Sequence, residues 1–193
     1  SGAYKSGYIE VKCVDETMPT QQFTVKSGYP IYYGYGINGK LRQRTENKLQ
    51  PNETHTFTIE EKVNLGDPIA IYGAAHIKAL DLSSMSDRIS VLQLSGVYDE
   101  VLGTRLESLK IGASSKENNT LKDVSGIKSA KSLVDLDVTN LNALTSLDLS
   151  ENVYLKELRA SGTNIANVVF AEGAPVTYMR LPNTFKVINF KSL

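Results

Sequence analysis

Three acidic side chains, Asp135, Asp137 and Glu157, are the residues of this sequence whose type and spacing could do chemistry. If the chain folds so that they lie on neighbouring strands, their oxygens could bind calcium or act as paired carboxylates in acid–base chemistry. Isolated surface acids are the more common outcome for residues of this kind. The three acids are therefore one candidate site, without a further group that would define a reaction.

Cys13, His55 and His76 do not extend that site into a catalytic or metal-binding set. Cys13 alternates with Ile9 and Val11, which predicts a buried structural thiol facing a core rather than a nucleophile. The two histidines are far apart in sequence and have no helical partner, so we interpret them as structural or surface residues. The sequence has no nucleophile elbow, dinucleotide-binding glycine motif or phosphate-binding loop. We predict that the protein is not an enzyme and uses no cofactor or metal ion.

Charge and composition limit the kind of partner. The 193-residue chain has 21 basic and 21 acidic side chains, which argues against nucleic acid or an anionic membrane as the main partner. A single cysteine excludes an intramolecular disulfide framework, and no apolar run is long enough to insert into a membrane. The 41% hydrophobic and 22% charged residues are typical of a globular protein with its own core.

Leucine and tyrosine divide the chain into two parts. Of the 21 leucines 18 follow His76, and of the ten tyrosines seven precede it. Two compositions in one chain predict two folding units, residues 1–75 and residues 76–193. The sequence begins without methionine and stops at Leu193 within a repeat pattern, so we interpret it as a piece of a longer protein whose C-terminal unit is incomplete.

Alternating apolar and polar residues mark the first unit. Phe57 and Ile59, for example, alternate with threonine and glutamate, which is typical of half-buried strands. Asn38-Gly39 favours a type I′ turn and predicts a hairpin between residues 33–37 and residues 40–44. No run of helical period is long enough to predict a helix. We expect a small antiparallel β-sandwich of about five to seven strands.

A tyrosine cluster, Tyr29, Tyr32, Tyr33 and Tyr35, lies beside the predicted hairpin. Tyrosines among glycines can form a platform that stacks on sugars or on a partner protein. The alternative, which we favour, is that Tyr33 and Tyr35 face the core while Tyr32 lies at its rim.

A repeat of apolar residues at i, i+3 and i+5 dominates the second unit. From Leu133 onward its copies start 10 or 11 residues apart. This spacing suits a short strand entered from a tight turn, and such segments bury their apolar side chains only by stacking with their strands in parallel. The copies are Ile77/Leu80/Leu82, Ile89/Leu92/Leu94, Leu106/Leu109/Ile111, Leu133/Leu136/Val138, Leu144/Leu147/Leu149, Leu155/Leu158/Ala160, Ile165/Val168/Phe170 and Val176/Met179/Leu181, with Leu121/Val124 and Val187/Phe190 as partial copies.

Three stretches of this repeat resemble leucine-rich repeat proteins of the bacterial surface. Residues 144–152, LTSLDLSEN, match the core L-x-x-L-x-L-x-x-N at every fixed position. Residues 121–140 resemble the repeats of internalin-type proteins, and residues 155–170 resemble the bacterial variant with two such segments in each coil. The resemblance implies about five coils, roughly 20–25 Å in length, with asparagines that hydrogen-bond the backbone of neighbouring coils. Asn152 is at the consensus position, whereas Asn140 and Asn164 are one residue away.

The sequence as a whole predicts a mainly β protein, with a small antiparallel β-sandwich cap in residues 1–75 and a leucine-rich repeat solenoid with parallel strands in residues 76–193. Side chains between the apolar positions of a solenoid point outward in columns. We predict a binding face on one set of columns, because arginine and tyrosine are enriched at interfaces. The alternative is a solvated surface on which opposite charges offset one another, Asp137 beside Arg159 for example. The predicted face contains Asp135, Asp137, Glu157, Arg159, Tyr178 and Arg180, with Ser108/Lys110 and Ala79/Asp81 upstream in the same columns, and the opposite set contains Ser146/Asp148, Asn167/Val169 and Asn189/Lys191.

These features predict a non-enzymatic module of a bacterial cell-surface or secreted protein that binds a protein or glycan on the solenoid face. A structural component of a larger assembly, such as a phage tail or fibre in a virion, is the alternative. Val187, Phe190 and Leu193 still follow the repeat, so we expect an open sheet edge that continues into further chain or packs on another subunit. Neither nucleic-acid binding nor membrane insertion is expected.

Overall fold

The computed structural model of the chain describes residues 8–13, 21–27, 31–35, 40–44, 53–59, 67–95, 106–116 and 120–191. Within these ranges the protein is mainly β, as predicted, with three short 3₁₀ helices, Ala74–His76, Ser83–Met85 and Ser125–Ser129. No helix of the described part is long and apolar enough to cross a membrane. The strands are Tyr8–Cys13 (β1), Gln21–Ser27 (β2), Tyr32–Tyr35 (β3), Lys40–Arg44 (β4), Thr54–Ile59 (β5), Pro68–Tyr72 (β6), Ile77–Asp81 (β7), Ile89–Ser95 (β8), Ser108–Lys110 (β9), Asp135–Asp137 (β10), Ser146–Leu149 (β11), Glu157–Arg159 (β12), Asn167–Ala171 (β13), Tyr178–Arg180 (β14) and Val187–Lys191 (β15).

These strands form three sheets. The five-stranded sheet has the order β4-β3-β6-β1-β8 and is antiparallel throughout. The seven-stranded sheet has the order β14-β12-β10-β9-β7-β2-β5, and the three-stranded sheet β11-β13-β15 is wholly parallel. Strand direction changes at β7, which is antiparallel to β2 and parallel to β9. The fold is therefore mainly β with mixed sheets that include parallel strands.

The predicted pairing of residues 33–37 with residues 40–44 is confirmed in its strands. β3 is antiparallel to β4, with Tyr35 opposite Lys40. The connecting residues 36–39, which include Asn38-Gly39, lie outside the described residues. The turn type that we predicted from this dipeptide therefore stays a prediction.

Aromatic side chains fill the space between the five-stranded sheet and the antiparallel strands β2 and β5 of the seven-stranded sheet. Tyr33 on β3 contacts Phe23 on β2 and Phe57 on β5, with ring centres between 5.0 and 5.6 Å apart across the three pairs. Tyr33 is buried and Tyr32 is half-buried, which agrees with the interpretation we favoured. Tyr29 and the side chain of Tyr35 lie outside the described part of the chain.

From β7 onward the strands alternate between the seven-stranded sheet and another sheet, except that β9 and β10 follow each other in the seven-stranded sheet. β7, β9, β10, β12 and β14 pair in parallel in that order within the seven-stranded sheet. Between them, β8 pairs with β1, while β11, β13 and β15 form the three-stranded sheet. The predicted parallel pairing is present within these two groups of strands, whereas β8, which carries the copy Ile89/Leu92/Leu94, is antiparallel to β1. The register aligns the middle residues of the repeat, which are Leu80, Leu109, Leu136, Leu158 and Met179.

One hydrophobic core runs through both parts of the chain. The three apolar positions of a repeat copy point into it; Leu133, Leu136 and Val138, for example, are each 0% exposed. Because β1 pairs with β8 and β2 pairs with β7, strands from the two predicted units share both large sheets. The proposed boundary at residue 75 thus crosses a continuous hydrogen-bonded structure, and the division into two units stays a prediction.

Asparagines connect successive turns of the chain. The Asn152 side chain is 0% exposed, and its Nδ2 donates to the carbonyls of Ile127 at 3.0 Å and Ala130 at 2.9 Å. Asn140 and Asn164, one residue from the consensus position, also donate to carbonyls, 27 and 22 residues earlier in the chain. The displaced asparagines therefore still bridge neighbouring segments.

The predicted alignment of the last, partial copy of the repeat, Val187/Phe190, is wrong. The register pairs Ile188 with Val168 and Phe190 with Phe170. The copy that matches the earlier ones is thus residues 185, 188 and 190, and Val187 is not one of its inward positions. β14 and β15 end their sheets in the described part of the chain, and Val187 and Phe190 are 43% and 62% exposed.

Candidate binding face

The six predicted site residues lie together on three neighbouring strands. Because Leu136 and Leu158 point into the core, the residues before and after them on β10 and β12 point away from it. The register continues these rows onto β14, where Tyr178 and Arg180 are exposed. We call these six side chains the strand face. Its two rows are Asp135, Glu157 and Tyr178, and Asp137, Arg159 and Arg180.

Arg159 contacts residues on two strands. Its Nη1 donates to Glu157 Oε2 at 3.2 Å, two residues back on β12. Its guanidinium carbon lies 5.0 Å from the centre of the Tyr178 ring on β14, which is a cation–π distance. Among the described ion pairs Arg159 is matched with Glu157 and not with Asp137, which we had given as an example of charges that offset one another. Arg159 therefore contacts a carboxylate and an aromatic ring while 40% of its side chain stays exposed.

Asp135 and Glu157 form a carboxyl pair across β10 and β12. Partial burial raises the pKa of Asp135, and a hydrogen bond with Glu157 and the charge of Glu157 raise it further. The nearby charges of Arg159 and Lys156 lower this pKa by smaller amounts. Asp135 therefore binds a proton more readily than an exposed aspartate does. No group of three or more His, Cys, Asp or Glu side chains in the described residues is arranged to hold a metal ion.

Asp137 has a structural contact that the sequence interpretation missed. Its Oδ1 accepts the backbone N–H of Thr139 at 2.9 Å, in the turn that follows β10. Asp81, Asp123 and Asp148 make the same bond to the amide two residues later. In sequence these sites read DLS, DVS, DVT and DLS, so the signal was an aspartate two residues before serine or threonine.

Arginine replaces this aspartate on the last two strands of the seven-stranded sheet. The register runs from Asp137 to Arg159 to Arg180. A guanidinium has no acceptor and cannot close the turn as a carboxylate does. The strand face therefore changes from acidic on β10 to basic on β14.

A shallow hollow of about 320 Å³ lies over the strand face. Residues of β9, β10 and β12 line it, and they include Lys110, Asp135 and Arg159. The hollow brings Lys110, which the sequence placed upstream in the same columns, beside the six predicted residues.

The opposite outward rows differ from the prediction at their last members. The register places Val187 and Asn189 beside Asn167 and Val169, whereas the sequence predicted Asn189 and Lys191 there. This slip of two residues has the same cause as the misaligned last copy of the repeat. The opposite side carries no arginine in its paired rows within the described strands.

Cys13 and the two histidines lie away from the strand face. Cys13 is the last residue of β1, and its side chain lies outside the described residues. The His55 ring is half-buried and packs edge-on against Phe57, with ring centres 4.6 Å apart. His76 ends a 3₁₀ helix, and its carbonyl accepts the Ser27 hydroxyl at 2.9 Å. These contacts agree with structural roles for the two histidines.

No family model, curated protein or solved structure matches this chain.

Proposed function

We propose that the chain is a non-enzymatic recognition module built from a β-sandwich cap and a leucine-rich repeat solenoid. The cap is supported by β1–β6, which are divided between two sheets whose aromatic side chains contact each other. The solenoid is supported by the parallel order β7-β9-β10-β12-β14. It is also supported by the path of the chain, which passes to a strand of another sheet after β7, β10, β12 and β14.

Each proposed coil contributes one strand to the seven-stranded sheet and one segment to the other side. The second segments are β8, the stretch around Asp123, β11, β13 and β15, and Asp123 forms a parallel bridge to Val91 of β8. Five parallel strands at a spacing of about 4.8 Å give a stack of roughly 20 Å. The asparagine bonds between segments 22–27 residues apart fit the coil length of such a repeat.

The proposed function is recognition of a ligand at a bacterial cell surface or in the secreted state, through the strand face. The observation that carries this proposal is the position of Arg159 between Glu157 and Tyr178, in contact with both. A side chain ordered before binding loses less conformational freedom when a partner arrives. Arginine and tyrosine also commonly provide the anchoring contacts of interfaces. Arg180 extends this basic, aromatic end of the face.

Charge reversal at Arg159 and Arg180 tests the proposal. The immobilised chain should retain a partner from an extract of bacterial surface material, and the Arg159→Glu/Arg180→Glu variant should lose it. The matched control, Lys131→Glu/Lys186→Glu, makes the same change of charge at exposed positions outside the strand face. If the arginine variant still retains the partner, the binding site lies outside the strand face. If both variants lose the partner equally, the loss is an effect of net charge.

A structural role in a larger assembly, such as a phage tail or fibre, is the second candidate function. It is favoured by the exposed apolar side chains on the last two strands, Met179 at 41%, Val187 at 43% and Phe190 at 62% exposure. Strand edges that carry apolar side chains promote association. Light scattering separates the two functions: self-association that Phe190→Lys abolishes favours assembly, whereas a monomer that binds a soluble partner favours recognition.

A further inference from the structure

Three adjoining hollows form one polar groove that extends beyond the strand face. The hollow over β9, β10 and β12 shares Lys110 and Asp137 with a second hollow of about 370 Å³. The second shares Ser83, Ser84 and Ser114 with a third of about 290 Å³. The groove thus runs from the outer side of the sheet, past the ends of β9 and β10, to the 3₁₀ helix Ser83–Met85. We call this surface the polar groove.

The middle of the polar groove is built by close contact between two turns. A Cβ at Gly112 would lie 2.8 Å from Asp137 Oδ1 and from both the amide nitrogen and the carbonyl oxygen of Thr139. Only glycine allows this approach without a shift of the neighbouring turn. Asp137 is fixed by its bond to Thr139, and Ser83 is fixed by its bonds to Asp81. The floor of the groove is therefore ordered.

The groove presents hydroxyls and few apolar side chains. Ser84 and Ser114 are exposed in its centre, and the large exposed apolar residues of the described chain lie outside its lining. A hydroxyl both donates and accepts a hydrogen bond. Protein partners are usually anchored by aromatic or aliphatic side chains in apolar pockets. A polyhydroxylated ligand matches this lining better than a protein does.

The charges of the groove also limit its ligand. Lys110 lies on the boundary of two hollows beside Asp137, and Arg159 lies beside Glu157 and Asp135 in the first. Because cations and carboxylates alternate over a short distance, a polymer of one charge sign meets repulsion as well as attraction along its length. An uncharged ligand avoids this.

We propose that the polar groove binds a neutral oligosaccharide, with Ser84, Ser114 and Lys110 hydrogen-bonding its hydroxyls. This rests on the proposed recognition function and names the chemistry of its ligand. Because the groove comprises three adjoining hollows, we assign it several linked sugar units rather than one.

Affinity electrophoresis of the full chain tests the proposal. Native gels would contain a soluble β-glucan, a galactomannan or a dextran as neutral polymers, and heparin or alginate as charged ones. We expect retardation by at least one neutral polymer and by neither charged polymer. Ser84→Leu and Ser114→Leu should each weaken that retardation by ~10-fold, because the leucine fills the hollow and removes a hydrogen-bonding hydroxyl. Both serines are exposed, so thermal unfolding should be unchanged.

Ser146→Leu is the matched control, since Ser146 is an exposed serine on β11 in the other sheet. Ser114→Ala, which adds no bulk, repeats the test if a leucine variant unfolds at lower temperature. Unchanged retardation in the Ser84 and Ser114 variants, equal loss in Ser146→Leu, or retardation by charged polymers alone would overturn the groove as a neutral-glycan site. If no neutral polymer retards the chain while charge reversal at Arg159 and Arg180 abolishes capture of a protein, the glycan proposal fails and the recognition function stands. If the capture fails as well, both proposals fail.

Discussion

Asp135 lies directly opposite Glu157 on the neighbouring parallel strand, where partial burial and the charge of Glu157 raise the pKa of Asp135. Two carboxylates so placed repel each other when both are ionised. The folded chain therefore binds a proton at this position more readily than the unfolded chain does.

Asp135→Asn should stabilise the protein at neutral pH and lose that advantage in acid. Since the folded pKa of Asp135 is raised, its contribution to stability is present below the unfolded pKa of about 4 and is lost as the pH rises through the folded pKa. The amide keeps the hydrogen-bonding shape but cannot ionise. Urea unfolding at about pH 4 and pH 7 measures the difference, with Asp87→Asn as the exposed control. A variant whose stability parallels the wild type at both pH values would show that the pKa of Asp135 is not raised in the folded chain.

Asp148→Asn should have the opposite dependence on pH. Burial raises the pKa of Asp148, but hydrogen bonds from Lys128 and Ser150 outweigh it and lower the pKa to about 2. The Lys128 Nζ–Asp148 Oδ2 distance is 2.6 Å. A lowered folded pKa stabilises the protein above the unfolded pKa of about 3.9, and the stabilisation is lost as the pH falls towards 2. The wild type should thus lose more stability than the variant over this interval in acid unfolding, with Glu172→Gln as the exposed control. Parallel curves would contradict the ion pair.

Leu147→Ala should destabilise the protein by about 2–5 kcal/mol, as expected for a buried leucine that leaves a cavity. Leu147 is 4% exposed and pairs with Val168 on the adjacent strand, so the loss should loosen the segments on both sides. Denaturant unfolding measures the free energy, and hydrogen exchange at β11 and β13 measures the loosening. Ser146→Ala, the exposed neighbour, should change little. A loss below ~1 kcal/mol for Leu147→Ala would mean that this position does not belong to the core.

Asn152→Ala should cost more than Asn164→Ala. The Asn152 amide donates to two buried carbonyls, each of which also accepts a backbone N–H, so its loss costs about 1–3 kcal/mol. Asn164 is exposed and makes one such bond, at 2.7 Å to the Asn142 carbonyl, where water can replace it. Its loss should cost below ~1 kcal/mol. Thermal or denaturant unfolding of the two variants gives the ranking, and a reversed order would contradict the role of Asn152 as the interior bridge.

The outward rows of the strand face were predictable because apolar spacing alone decides which side chains point away from the core. Leu136, flanked by Asp135 and Asp137, is an example. The predicted alignment of the repeat was wrong at Val187. Val187 and Ile188 are both apolar, so the sequence allows two alignments of the last copy, and only the pairing of β15 with β13 distinguishes them.

The remaining contacts depend on the folded chain. The position of Arg159 over Tyr178 requires a side-chain conformation and a strand neighbour that spacing does not specify. The pairing of β1 with β8 depends on which distant strand completes the sheet, and local pattern carries no information about that choice. The aspartates that close turns can be recognised in the sequence as turn residues. Their shared role becomes clear only from the structure, where each accepts the amide two residues later.

Because β1 pairs with β8, the first strand is synthesised well before one of its two partner strands. Tyr8 has left the ribosome long before its partner Ser95 is made, so the first strand stays without one of its two neighbours for much of translation. A nascent chain halted at residue 75 would expose the free edges of β1 and β2, where other chains can add. Chaperone binding during this interval would protect those edges, and release would follow once β7 and β8 have emerged.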